Sequence, residues 1–165
     1  MTVTKGTAVP RLPALPVSVE RVAFDHPEAD ALRRAQRVEL DARYGSDDHE
    51  PGEVPTAAST PVFVLARTVE GRAVGCGGLR PLEGGGAEVK RMYVHPEARG
   101  RGVSTAVLRA LEDEARLLGV RRLVLETGTE QPDAMRFYER EGYERIEAFG
   151  PYVGSAQSVC YARTL

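Results

Sequence analysis

Apolar residues recur along the chain with two different periods, one typical of strands and one typical of helices. Seven short stretches are apolar or alternate apolar with polar positions, which predicts strands over 17–24, 61–68, 72–79, 87–94, 121–126, 143–146 and 158–163. Three longer stretches repeat apolar residues every three or four positions, which predicts helices from a cap at Asp25 or Asp30 to about 43, over 101–118 and over 131–141. The order β-α-β-β-β-α-β-α-β-β predicts an α/β domain with a mixed sheet and helices on its faces.

Polar segments divide the chain into an arm and one domain. Residues 1–16 hold three prolines and no periodicity, so we predict a flexible N-terminal arm. The length of 165 residues fits a single domain over 17–165. Residues 45–60 form a polar loop with two prolines, long enough to be either a functional lid or a disordered segment.

Composition narrows the classes of partner and the compartment. The 22 basic and 24 acidic residues give a net charge of −2, which provides no electrostatic attraction toward nucleic acid or an anionic membrane. No apolar run approaches the roughly 18 residues needed to span a membrane, and prolines interrupt the N-terminus where a signal peptide needs an apolar helix. Cys76 and Cys160 lie in apolar strands, which favours reduced thiols in the cytoplasm and leaves one disulfide between them open.

The stretch 94–108 combines a strand end, a proline, two glycines and two arginines. Gly100 and Gly102 let the backbone approach a ligand closely, and the helix that follows offers unpaired N–H groups with a partial positive charge. Arg99 and Arg101 add full charges, so we predict a diphosphate site here. A plain helix start with solvated arginines is the alternative. A Walker loop is absent from the sequence, and a nicotinamide dinucleotide fingerprint fits poorly because its third small position is missing.

Residues 99–104 also match the acyl-CoA pyrophosphate loop R/Q-x-x-G-x-G/A, with Ser104 at the place of the last small residue. A valine and a proline precede the loop, and the string QPDAMRFYEREGY follows at 131–143. With these motifs the chain resembles the GNAT superfamily of acyl-CoA-dependent N-acyltransferases over 17–164. The resemblance implies a mostly antiparallel seven-stranded sheet, splayed between its fourth and fifth strands, and acetyl-CoA as co-substrate. It also implies a set of residues that bind acetyl-CoA: Met92, Tyr93, Val94, Arg99, Gly100, Arg101, Gly102, Val103, Ser104 and Gln131.

The fourth predicted strand carries an irregularity of its own. Its apolar residues Val89, Met92 and Val94 include a step of three, which breaks the period of two. An extra residue near Lys90 and Arg91 restores the alternation, so we predict a β-bulge there. The resemblance implies the same bulge, which separates two parallel strands to admit the thioester arm. A plain edge irregularity is the alternative.

Attack of an amine on a thioester needs a base, an oxyanion donor and an acid. The resemblance implies Tyr138 as the acid that protonates the CoA sulfur, and backbone N–H groups around Met92 as the oxyanion donor. It places a glutamate base at Glu88 in some relatives. Glu126 is the rival base, because it is predicted to end the central apolar strand, and solvent water is a third choice.

We therefore expect an N-acetyltransferase that moves an acetyl group from acetyl-CoA to a primary amine of a small molecule or peptide. A non-catalytic acyl-CoA-binding module and a nicotinamide dehydrogenase are the alternatives. We expect no metal, because His26, His49 and His95 are isolated from other ligand types. The acidic residues of the loop 45–60 are either solvated or attract a cationic amine, and a homodimer stays open.

Overall fold

The computed structural model describes residues 10–165 of the chain. Over these residues seven strands and three α-helices follow one another in the predicted order. Their bounds are β1 Val17–Val22, α1 Pro27–Tyr44, β2 Val62–Thr68, β3 Ala73–Pro81, β4 Ala87–Val94, α2 Val103–Leu117, β5 Arg122–Gly128, α3 Pro132–Arg140, β6 Glu144–Ile146 and β7 Ser158–Thr164. Short 3-10 turns at Pro96–Ala98 and Gly150–Tyr152 complete the regular structure of this range.

The strands form one sheet in the order β1-β2-β3-β4-β5-β7-β6. All neighbours run antiparallel except β4 and β5, which are parallel. These two strands pair only where Ala87–Val89 faces Leu123–Leu125, and they separate beyond that point. The predicted fold class and the predicted splay between the fourth and fifth strands are therefore confirmed.

A β-bulge lies at the point where β4 leaves β5. Cys76 pairs with Tyr93 while Gly78 pairs with Lys90, so two residues of β4 stand opposite one residue of β3. Arg91 is one of the two, and its φ of 57° is the one positive value at a non-glycine residue within 10–165. The bulge predicted from the apolar spacing is thus confirmed, and it bends β4 away from its parallel neighbour.

Helices cover both faces of the sheet. In β2, Val62, Val64 and Ala66 belong to the core beneath α2, whereas Phe63 and Leu65 pack with Ala29 and Leu32 of α1. The third helix joins the α2 side, where Tyr138 packs with Tyr143 and Tyr161. The two-residue period of β2 therefore supplies an apolar side chain to each face in turn.

Several boundaries differ from the prediction by one or two residues, and two of the differences have a clear physical reason. The cap of α1 is His26, whose Nδ1 accepts a hydrogen bond from the Glu28 N–H at 3.2 Å; neither Asp25 nor Asp30 caps the helix, and Asp30 pairs with Arg33 and Arg34 instead. The fifth strand does not end at Glu126 but continues to Gly128, because ladder pairing with β7 outweighs the polar character of its last residues.

The predicted N-terminal arm is described only from residue 10 onward. The Pro13 carbonyl accepts a hydrogen bond from Arg101 Nε at 3.0 Å, and the Leu15 N–H donates to the Arg101 carbonyl at 2.9 Å. Residues 1–9 lie outside the described residues, so the flexibility of the arm stays a prediction.

Candidate active site

The loop between β4 and α2 presents backbone groups to open space. Gly100 and Gly102 have φ values of 69° and 86°, a left-handed conformation that costs glycine little. A Cβ on either residue would meet no atom within 4 Å, so the backbone here faces a region free of protein. Gly102 caps α2, whose first N–H groups lack helical partners and carry the positive end of the helix dipole. This arrangement suits a diphosphate.

The two arginines of the loop are engaged by other parts of the protein. Arg99 donates to Glu39 Oε2 at 2.6 Å and to the Val94 carbonyl at 2.9 Å, and Arg101 is held by the Pro13 carbonyl. The sequence suggested that both guanidinium groups add charge for the ligand. The structure shows that they also fix the loop to α1 and to the N-terminal segment, which leaves the backbone N–H groups as the open donors.

A cavity of about 320 Å³ extends from this loop along the open side of β4. It lies between α1, the end of β4 and α3. Its lining includes seven of the predicted acetyl-CoA residues: Met92, Tyr93, Val94, Arg99, Gly100, Ser104 and Gln131. Arg101 and Gly102 lie outside the lining, and Val103 is buried in the core beneath the sheet. The larger cavity therefore gathers most, but not all, of that predicted set.

A second cavity of about 100 Å³ fills the splay between β4 and β5. The two cavities share six lining residues, which are Gln36, Leu40, Met92, Gln131, Ala134 and Tyr138. Gly128 at the end of β5 closes one side, because a Cβ there would lie 1.4 Å from the Tyr44 hydroxyl. The missing side chain of Gly128 thus makes room for the Tyr44 hydroxyl at this side of the small cavity.

Glu126 projects from β5 into the small cavity. Burial raises the pKa of its carboxyl group to about 7, against the opposing effects of the Ser158 hydroxyl and the Lys90 ammonium group. Within residues 10–165 this carboxylate forms no salt bridge. Its charge state therefore changes near neutral pH, which suits a group that accepts a proton.

Glu88 lies on the same side of the sheet but outside both cavities. Its carboxylate is 1% exposed and is held by Arg80 Nη2 at 2.9 Å and by the Tyr152 hydroxyl at 2.5 Å. Lys90 Nζ approaches it at 3.4 Å. The structure thus places the two rival bases in different environments, one surrounded by donors and one facing the space at the splay.

Tyr138 stands at the junction of the two cavities. Its ring packs with the rings of Tyr143 and Tyr161, and burial raises the pKa of its hydroxyl above the usual value. Gln131, which caps α3, and Ala134 in its first turn line the same two cavities. The ring is thus part of the core, while the residue also borders the site.

Several residues of the small cavity were not expected from the sequence. Lys90 donates to Glu50 Oε1 at 2.8 Å, and Arg91 donates to Glu50 Oε2 at 2.6 Å. Burial alone raises the pKa of Glu50, but these two cations lower it to about 2. The loop 45–60 was expected to be solvated or to attract a cationic amine. Glu50, one of its acidic residues, instead fixes the loop to the bulge of β4.

Two further contacts that were not expected from the sequence lie beside the small cavity. His49 stacks on the Tyr44 ring at a centroid distance of 4.9 Å and contacts Asp41 Oδ1 at 2.7 Å. Gln36 donates to the Met92 carbonyl at 2.9 Å, and its own Oε1 is buried without a partner. Sequence spacing gave no signal for either contact, because each joins α1 to a distant segment or to a loop of irregular structure.

Comparison with known proteins agrees with this geometry. Residues 29–143 match the model of the acetyltransferase (GNAT) family. The chain belongs to the GNAT acetyltransferase family. An IAA acetyltransferase of Azospirillum brasilense is 37% identical over 137 residues, which are 79% of this chain and 88% of that protein. The predicted N-acetyltransferase that uses acetyl-CoA as co-substrate is thereby confirmed, and the binding-module and dehydrogenase alternatives are not supported.

Solved structures share the same architecture. A candidate acyl-CoA N-acyltransferase of Klebsiella pneumoniae is 34% identical, with a TM-score of 0.76 over 90% of this chain and 97% of that one. A GNAT family acetyltransferase of Elizabethkingia anophelis with acetyl-CoA bound has a TM-score of 0.67 at 15% identity, over 90% and 98% of the two chains. The second likeness shows the fold alone.

Two other features are absent from the described part of the chain. No helix within residues 10–165 is long and apolar enough to cross a membrane. In the same range no three side chains of His, Cys, Asp or Glu come together as a set of metal ligands.

Proposed function

We propose that this acetyltransferase acts on the primary amine of a small acceptor that enters the cavity at the splay, with Glu126 as the base. The observation that carries the proposal is the difference in ion pairing and in pKa between the two carboxylates that line that cavity. Glu50 is paired with Lys90 and Arg91, whereas Glu126 is half-buried with a pKa of about 7. A base with that pKa is present in both forms at neutral pH and can take a proton from an ammonium group.

The residues of the larger cavity and its loop fit acetyl-CoA. The open backbone at Gly100 and Gly102 and the start of α2 match the diphosphate of that molecule. The cavity then leads from the loop to the splay, where the acceptor cavity adjoins it. Acetyl-CoA supplies a thioester that an amine can attack, and the protein has to hold the amine, remove its proton and stabilise the leaving thiolate.

The hydroxyl of Tyr138 supports that last task. Its raised pKa keeps it protonated throughout the working range of pH. An ordinary thiol has a pKa of about 8.5, below that of a phenol, so Tyr138 stabilises a thiolate chiefly by donating a hydrogen bond. The family resemblance implies that Tyr138 transfers its proton fully to the sulfur. Such a transfer needs a second group that returns a proton to Tyr138 afterwards. Backbone N–H groups near Met92 remain the proposed oxyanion donors.

The volume of the small cavity favours a small molecule over a peptide as acceptor. About 100 Å³ holds the volume of roughly three water molecules, so few non-hydrogen atoms of the acceptor enter beside the amine. We also place the protein in the cytoplasm, since Cys76 and Cys160 are free and buried. The homodimer stays a prediction.

The test compares Glu126→Gln with Glu88→Gln in steady-state kinetics across pH 6 to 9. An acetylated amine is first found by thiol release from a panel of small amines. We expect Glu126→Gln to lower kcat/KM by roughly 10²-fold and to remove the rise of activity through pH 7, because amide nitrogen and oxygen accept no proton there.

The control is Glu88→Gln, which removes a buried charge held by Arg80 and Tyr152. We expect this variant to melt at a lower temperature and still to show the rise through pH 7. If Glu88→Gln loses that rise and Glu126→Gln keeps it, Glu88 is the base and the assignment proposed above is wrong.

A further inference from the structure

Arg91 occupies a strained backbone position at the splay. Its φ of 57° is one that residues with a side chain rarely adopt, and the bulge of β4 holds it there. A bulge redirects the side chain of the extra residue, and here that side chain lines the small cavity. Strained positions of this kind concentrate at ligand sites, so the arginine calls for a reason beyond the packing of a strand.

The guanidinium group of Arg91 has donors to spare. One of its nitrogens, Nη1, donates to Glu50 Oε2 at 2.6 Å. No other acceptor among residues 10–165 takes up its remaining N–H groups, and the nitrogens that carry them are accessible to solvent. A guanidinium carries five N–H donors in a fixed plane, and two of them on one edge match the oxygens of a carboxylate.

The charged groups around Arg91 carry a net positive charge that one bound anion would neutralise. Salt bridges join four cations to three carboxylates around the cavity: Arg37, Arg80, Lys90 and Arg91 to Asp41, Glu50 and Glu88. The cluster therefore has a surplus of one positive charge. A single carboxylate balances it, whereas a phosphate with nearly two charges exceeds it.

We propose that Arg91 binds a carboxylate of the acceptor while the amine of the same molecule lies beside Glu126. The acceptor is then an amino acid or a close relative, with its two charged groups only a few bonds apart, because both residues line one cavity of about 100 Å³. The inference rests on the function proposed above. It makes Arg91 the residue that selects the acceptor and Glu50 the residue that holds Arg91 in place.

Calorimetry on the full chain saturated with CoA tests the selection directly. The probes are the N-acetyl derivatives of the twenty protein amino acids, each beside its primary amide, which differs only in lacking the carboxylate. We expect at least one acid to bind ten times more tightly than its amide. In Arg91→Met the acid should bind no more tightly than the amide.

Two further variants separate recognition from folding. Arg91→Gly removes the guanidinium and accepts the positive φ without strain, so it should fold and should also lose the preference for the acid. Arg37→Met removes another cation near Glu50, at 3.7 Å, from a residue that lines neither cavity, and it should keep the preference. Equal binding of acids and amides by the wild type, no binding of either, or a preserved preference in both Arg91 variants overturns the proposal.

The same probes distinguish this inference from the proposed base. Glu126→Gln should bind the acid with its preference intact while turnover falls, since a glutamine leaves Arg91 in place. A preference that depends on Arg91, found together with normal turnover in Glu126→Gln, supports the acceptor class and rejects Glu126 as base. A turnover loss in Glu126→Gln without any preference for acids does the opposite.

Discussion

The two adjoining cavities of this protein offer a ligand different kinds of group. Next to the larger one lies one continuous stretch of chain, 99–104, where a Cβ on Gly100 or Gly102 would meet no other atom and where α2 begins. The smaller one is lined by residues of α1, the loop 45–60, β4, β5 and α3, and several of these residues carry charged side chains. The first kind of site depends on the path of the main chain. The second depends on which side chains the fold brings together.

This difference determines which substitutions each region tolerates. Around the loop, we expect the important property to be the absence of side-chain bulk at Gly100 and Gly102, because the proposed diphosphate site is formed by the main chain. Around the splay, the important property is the chemical identity of Glu126, Arg91 and Glu50, whose charges and pKa values depend on one another. Substitutions that affect one cavity and leave the other unchanged therefore test this contrast.

The largest effect is expected at the junction, from Tyr138→Phe. Turnover should fall by about 10²-fold, because the hydroxyl that would stabilise a leaving thiolate is removed while the ring is kept. Acetyl-CoA affinity and the melting temperature should change little, since no hydrogen bond within residues 10–165 engages that hydroxyl. Single-turnover acetyl transfer, calorimetry and thermal unfolding measure the three quantities.

A comparison with Tyr143→Phe makes this prediction sharper. The Tyr143 hydroxyl donates to the buried Glu112 at 3.1 Å, so its loss should cost about 1 kcal/mol of stability and leave turnover unchanged. Wild-type turnover in a folded Tyr138→Phe protein would show that Tyr138 serves the core alone.

A smaller effect, confined to the loop beside the larger cavity, is expected from Gly102→Val. A branched side chain at a φ of 86° is strained, and its bulk occupies the space through which the diphosphate approaches the main chain. We expect CoA to bind at least tenfold more weakly, about 1.4 kcal/mol, as measured by calorimetry.

The matched control for this change is Gly84→Val. Gly84 has a φ of 89° and open surroundings, as Gly102 has, but it lies in the turn between β3 and β4 and not in the loop before α2. Gly84→Val should lose a similar amount of stability, as measured by thermal unfolding, and should bind CoA as tightly as the wild type does. Equal CoA affinity in Gly102→Val and the wild type would mean that the diphosphate does not lie on this loop.

The contrast between the cavities also explains what the sequence could and could not reveal. The order of strands and helices was predictable because each element carries its own apolar period. The loop was predictable because its two glycines, its two arginines and the start of the helix lie within a few residues of one another. Even the bulge was visible, since the step from Val89 to Met92 breaks the alternation of a single strand. All of these signals are local in the chain.

The small cavity left no such local signal. Glu50 meets Arg91 across 41 positions of sequence, so neither residue type alone indicates the pair. The choice between Glu88 and Glu126 depends on what surrounds each carboxylate, and the donors around Glu88 come from Arg80 and from the distant Tyr152. The boundary of β5 was missed for a related reason, because ladder pairing with β7 keeps polar residues in the strand.

The smallest effect is expected where the loop departs from the family pattern, at Ser104. This residue is the second of α2 and lines the larger cavity, but its hydroxyl forms no hydrogen bond with residues 10–165. If the loop binds through its main chain, Ser104→Ala leaves every backbone donor in place and should change CoA affinity by less than about twofold, less than 0.4 kcal/mol. Ser104→Asp keeps a small polar side chain but adds a negative charge near the diphosphate, so calorimetry should show clearly weaker binding. A tenfold loss in Ser104→Ala would instead mean that the loop, like the acceptor cavity, recognises its ligand through side chains.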